Sequence, residues 1–218
     1  MKFIGFLLDG TLVTLQLFFL TLLFSLPLGL IVSFGRMSKS RLLSGIIKLY
    51  IDIMRGTPLI LQLIVVYFGP SYIVMFFFPS SSGVNLDRFW AAIIAFVLNY
   101  SAYFAEIFRG GIESMPRGQY EAAEVLGLSR SQTFFRIILP QVLKRILPPI
   151  SNEVITLVKD TALVQVLGVS ELFRVAKNEA SRVSSVTPLF VAGLFYFAMN
   201  WIVTRIFHLA EKKMNYYR

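Results

Sequence analysis

The chain has 218 residues, of which 56% are hydrophobic and 15% charged, with no cysteine and a formal net charge of +9. A mean hydropathy of +0.70 is too high for a soluble domain, and the missing cysteines exclude disulfides, thiol chemistry and a Cys-based metal site. The positive charge flanks apolar runs and forms no single basic stripe, so it excludes a nucleic-acid partner and points to membrane lipid.

Taken in chain order, five stretches have the roughly 20 apolar residues that a membrane span needs. The first, about 10–34, includes 24 uncharged residues from Thr11 to Phe34. It exceeds the core of a signal peptide and is followed by no cleavage site, so a retained span is expected. The second, about 57–78, has Pro58 at its start and lies in the uncharged stretch Gly56–Leu86. A short Ser80–Gly83 loop separates it from the third, about 89–108. The fourth, about 146–169, is apolar but carries Glu153, Lys159 and Asp160. The fifth, about 184–204, is uncharged from Val183 to Thr204.

Between the third and fourth spans lies a polar segment, Glu121–Pro140. Glu121, Ala122, Ala123, Glu124, Val125 and Leu126 favour a short helix, and Gly127 can stop it. Ser129 and Gln132 have capping-box spacing and start a second helix at a new angle. Phe134, Phe135, Ile137 and Ile138 anchor that helix at the membrane, and Pro140 is expected to end it. The outcome is a rigid elbow leading into the fourth span.

Orientation follows from Lys and Arg in the connections. The first connection, the third and the tail from Arg205 to Arg218 hold fifteen; the opposite side holds five, namely Lys2, Arg88, Arg174, Lys177 and Arg182. The N-terminus is therefore expected outside, and the elbow and C-terminus in the cytoplasm. Each charge inside the fourth span costs about 2.5–3.5 kcal/mol on insertion scales, so such groups face a cavity or one another. Glu153 and Asp160, seven residues apart, share nearly one helix face, while Lys159 points roughly 100° away. Gln62, Tyr67, Asn99, Tyr100, Tyr103, Asn152, Thr161 and Gln165 are further candidates to line a polar path, or to bond helices together.

The elbow resembles the EAA loop of ABC-transporter permeases at Glu121, Ala122, Ala123, Gly127, Ile137, Leu139 and Pro140. Arg55-Gly56-Thr57-Pro58-Leu59 with Gln62, Asn99-Tyr100-Ser101-Ala102-Tyr103, Glu106–Ile112 and Ile155–Leu163 are similar to the polar amino acid permeases of the histidine/glutamine type. The likeness covers about residues 10–210. It implies an all-α membrane protein of five transmembrane helices with a cytoplasmic coupling helix, like the type I ABC importers. A single permease domain fills 1–218, with the coupling loop at about 117–140. Such a chain sits in a prokaryotic plasma membrane and docks two ABC ATPase subunits through Glu121, Ala122, Ala123 and Gly127. It pairs with a second permease subunit, itself first and a sister chain as the alternative, and receives amino acids from an extracytoplasmic binding protein.

The sequence holds no phosphate-binding P-loop, so no cofactor is expected in this chain and ATP with Mg belongs to the partner ATPase. A membrane enzyme is poorly supported, because no nucleophile–base set or metal-ligand cluster is seen. Within the resemblance, the expected substrate residues are Glu153, Asp160, Lys159, Thr161, Asn99, Tyr103 and Gln62. Asp160 meets the substrate ammonium; Lys159 meets its carboxylate or pairs with an acid. The family often has a small polar residue where Glu153 stands, and a carboxylate there suits a basic amino acid such as arginine, lysine or histidine. The alternatives are the same importer for glutamine or cystine, or a small channel or structural membrane subunit.

Overall fold

In a computed structural model, which describes residues 2–214, the chain is a bundle of helices, with no strand among the described residues. Arg218, counted in the basic tail, lies outside the described residues. Long helices form at the predicted spans: α1 (Lys2–Arg36), α3 (Leu59–Phe77), α4 (Arg88–Glu113), α7 (Leu139–Asp160) and α9 (Thr187–Lys213). Two helices arise in the connections, α2 (Arg41–Gly56) and α8 (Leu172–Val183), and two in the elbow, α5 (Arg117–Val125) and α6 (Arg130–Thr133). Among the described residues, α1, α3, α4 and α9 are long and apolar enough to cross a membrane. At 22 residues, α7 spans about 33 Å. Its charged residues Lys144, Arg145, Glu153, Lys159 and Asp160 keep its hydropathy below that of the other four.

The central helix is α4. Its small residues Ala91, Ala92, Ala95, Ser101, Ala102 and Ala105 are buried and let neighbours come close. Helix α1 lies along it; its small residues Thr21, Ser25 and Ser33 are buried, and Thr14 turns instead to the α8 start, accepting from the Leu172 amide. A Cβ on Gly29 would stand 2.8 Å from the Phe104 Cβ and 3.0 Å from the Ser101 carbonyl, so only glycine allows this approach. Leu17, Phe18, Leu63, Phe96, Tyr100, Phe104, Leu157 and Val164 form the core where α1, α3, α4 and α7 meet.

Two boundaries differ from the sequence reading. The connection after the first span, left without an assigned element in the sequence, holds a helix: α2 packs Ile47, Tyr50, Ile51 and Met54 against Val32 of α1 and Ala102 and Ala105 of α4. It rises into the bundle and breaks at Thr57-Pro58, where Pro58 cannot donate to the preceding turn. The fourth span is not one helix over 146–169. It begins at Leu139, changes at Asp160 to a 3₁₀-helix (Thr161–Leu167), and stops at Gly168, whose φ of +86° is left-handed.

Candidate functional site

The polar centre is built on α7. Asp160, at its C-terminal end, accepts a 2.7 Å hydrogen bond from the Tyr100 hydroxyl of α4. Two turns earlier Glu153 is half-buried, within electrostatic reach of Asp160 and of Arg55. Arg55 lies in the last turn of α2 and lays its guanidinium over the Tyr103 ring, 5.2 Å from the centroid. Lys159 is exposed, as are Asn152 and Thr156 on the same helix. Among the described residues the ion pairs are Glu106–Arg109, Arg109–Glu113 and Glu179–Arg182. Neither Glu153–Lys159 nor Lys159–Asp160 is one of them.

The remaining predicted residues split into two groups. Tyr103 faces the centre beneath Arg55. Asn99 and Gln62 are instead bonded together: the Asn99 Nδ2 donates to Gln62 Oε1 and to the Met54 carbonyl, each at 3.0 Å. The Gln62 Nε2 donates to the carbonyls of Met54 at 3.0 Å and Thr57 at 3.2 Å, and to Thr57 Oγ1 at 2.8 Å. Together they cap the carbonyls that the α2–α3 break leaves open. Thr161 is fully buried, and its hydroxyl donates to the Val158 carbonyl at 2.7 Å, so it faces the wall.

The elbow follows its predicted local chemistry with one correction. Pro116 precedes α5, a position where its missing N–H costs nothing. Gly127, at φ +72°, terminates it, with the Gly127 amide donating to the Glu124 carbonyl and the Leu128 amide to the Ala123 carbonyl. These are the paired bonds of a Schellman stop. Ser129 and Gln132 form the capping box of α6. The helix does not end at Pro140. A π-turn, Phe134–Ile138, carries it straight into α7, and Pro140 sits near the α7 N-terminus, where a missing amide is tolerated.

Ala123 is buried, whereas Val125 is 88% and Leu126 75% exposed, leaving an apolar tip. The elbow is bolted to the bundle behind it. Met115, Ile138, Val142 and Ile146 form a core there, and Arg145 Nη1 donates to the Ser114 carbonyl at 2.6 Å.

Two charged residues stood outside the site prediction. Arg55 entered the sequence reading only as an orienting charge and as part of a motif; its place before Gly56-Thr57-Pro58 was the available signal. Glu171 is fully buried and accepts from the Phe173 and Arg174 amides at 2.7 Å and from the Tyr196 hydroxyl at 2.9 Å. It is the N-cap of α8, an element that the span pattern had hidden inside a connection.

Residues 25–216 match the family described as binding-protein-dependent transport system inner membrane component. The chain is 38% identical to the arginine transport system permease protein ArtQ of Bacillus subtilis (strain 168), over 97% of this chain and 93% of the relative. It is 37% identical to the L-cystine transport system permease protein TcyB of the same organism, over 95% and 86%. Its fold superposes on a solved amino acid ABC transporter with histidines at a TM-score of 0.85 and 33% identity, covering 97% of this chain and 95% of that one.

Proposed function

The chain belongs to the family of binding-protein-dependent transport system inner membrane components, and from that premise we propose that it carries basic amino acids. It is a multi-pass permease subunit of an amino acid ABC importer; ATP is hydrolysed by separate subunits. The observation that carries the substrate reading is the pair of α7 carboxylates, Glu153 and Asp160. Both are half-buried, and neither forms an ion pair among the described residues. Buried carboxylates without a fixed counter-ion are costly, and a cationic side chain relieves that cost as it passes. Arg55 on Tyr103 stands close enough to supply part of this charge while no substrate is present. Lys159 is a donor for the substrate carboxylate. The relative described as an arginine permease supports this reading, and the cystine relative is why the side chain must be tested.

In this reading the N-terminus is outside and the C-terminus cytoplasmic, following the lysine and arginine bias. The EAA-like elbow presents Val125 and Leu126 to a Mg–ATP-binding ATPase, and Glu121, Ala122, Ala123 and Gly127 hold its shape. An extracytoplasmic binding protein delivers the amino acid. The exposed stripe Asn152, Thr156 and Lys159 is too polar for lipid and is covered by a second permease subunit, a second copy of this chain first. ATP-driven closure pushes the elbows, and the spans rock around the midplane.

The test is ATP-dependent uptake in proteoliposomes with the ATPase and binding protein, comparing labelled arginine, histidine and glutamine. Arginine and histidine are expected to outrun glutamine, and Glu153→Ser to cut arginine uptake about tenfold, the loss expected for one charged contact. Uptake of glutamine alone, or arginine uptake indifferent to Glu153→Ser, ends the basic-substrate reading.

A further inference from the structure

At the end of the bundle opposite the elbow, two arginines converge. Arg88 begins α4, and Arg174 lies in the first turn of α8. Both reach over Gly168, the left-handed residue that stops the 3₁₀-helix. A Cβ placed on Gly168 would lie 2.6 Å from Arg174 Nη1 and 2.8 Å from Arg88 Nη1, so the two forks border one point in space. Like charges this close repel unless an anion lies between them. Arg174 Nη1 is shielded from solvent and has no hydrogen-bond partner. Arg88 donates through Nε to the Tyr67 hydroxyl at 3.4 Å, a neutral acceptor.

The acids that would normally neutralise this pair are engaged elsewhere. Asp87, beside Arg88, turns its Oδ1 to the Phe89 and Trp90 amides at 3.0 and 3.1 Å, capping α4. Glu171, three residues before Arg174, gives both oxygens to the α8 cap and the Tyr196 hydroxyl. Glu179 is paired with Arg182. Both helices begin on a carboxylate cap; Glu171 lies within electrostatic reach of Arg174, but neither Arg88 nor Arg174 forms an ion pair among the described residues. Two guanidinium forks sharing one opening match the two oxygens of a carboxylate.

We propose that Arg88 and Arg174 form a carboxylate-binding site over Gly168, at the end of the permease that the proposed orientation puts outside. The α-carboxylate of an incoming amino acid is one source of the anion, and an acidic side chain of the docked binding protein is the other. Every amino acid carries this carboxylate, so the site rests on the chain being an amino acid permease and is independent of the basic side-chain reading. Glycine at 168 is required twice, for its left-handed backbone and for the space the forks occupy.

The experiment compares wild type with Arg88→Gln, Arg174→Gln and the two Lys variants in transporter reconstituted with its ATPase. Docking of the liganded binding protein is measured alongside uptake of labelled arginine and of labelled glutamine. Each Gln variant is expected to slow uptake roughly tenfold at saturating binding protein with docking unchanged, the loss expected for one charge-assisted contact. The Lys variants, which keep the charge and lose the fork, should recover part of that rate. A tenfold weaker docking, with uptake restored by excess binding protein, also supports the site and assigns the carboxylate to the binding protein. Where a Gln variant fails to bind the ATPase, the Lys variant at that position decides. Unchanged uptake and docking in variants that bind the ATPase overturn the proposal. If wild type carries glutamine and not arginine, the basic-substrate reading fails while this comparison proceeds on glutamine.

Discussion

The chain interrupts its helices at two places that solve one problem by different means. At the elbow, α5 stops and α6 starts within a few residues, and the cap bonds that close this turn run between Ala122 and Thr133, with one longer tie from Gln141 Nε2 to Gln119 Oε1 at 3.3 Å. At the α2–α3 break, the open carbonyls of Met54 and Thr57 are closed by Gln62 and by Asn99, the latter 45 residues from Met54. The turn of the elbow is therefore closed mainly by its own neighbouring residues, while the break adds to its local Gln62 a donor from α4. In the proposed reading, an elbow that transmits a push from an ATPase gains from the first design. In the same reading, a joint beside the polar centre gains from the second.

The comparison is broken most strongly at Gly127. Gly127→Val forces a β-branched residue to φ +72° and should cost about 2–3 kcal/mol of local stability. Pull-down with the ATPase should weaken at least tenfold while thermal unfolding of the bundle stays unchanged. A lowered unfolding midpoint would show that the elbow is not a local unit.

At the break, Asn99→Leu should have the opposite signature. It leaves Gln62 Oε1 without its donor and the Met54 carbonyl with Gln62 alone, and should lower bundle stability by about 1–2 kcal/mol, with ATPase docking intact. Combined with Gln62→Leu, the two changes should be non-additive by about 0.5 kcal/mol, because they remove a shared contact. Strict additivity would separate Gln62 from Asn99. The smallest change is Ser129→Ala, which removes half the capping box and should cost about 1 kcal/mol or less of local helix stability. ATPase binding should then fall only a few-fold, and Ser129→Asp should restore it.

Much of the molecule was legible because its signals are short-range. Apolar length marked α1, α3, α4 and α9, and Gly127 with Ser129 and Gln132 marked the elbow. Where the reading erred, a neighbour was responsible. Pro140 reads as a stop, but a π-turn absorbs its missing amide once Ile138 is packed under α4. Glu153 and Asp160 stood out because charges are rare in an apolar run, whereas Arg55 did not, because basic residues are expected at span ends. Asn99, Gln62 and Thr161 were recognised as polar residues in a membrane, and nothing in their spacing said which of them would be spent on backbone carbonyls.

By itself the sequence determined that this chain lives in a membrane, where α1, α3, α4 and α9 fall and how α5 gives way to α6, because hydropathy, helix propensity and capping act over a few residues. Only the tertiary structure decided that α2 climbs against α4, that Asn99 and Gln62 close a broken helix, and that two arginines 86 positions apart share one opening over Gly168. Those outcomes depend on which helix faces fit together. Small residues such as Gly29 and Ala105 permit that fit, but their partners are chosen only when the bundle closes.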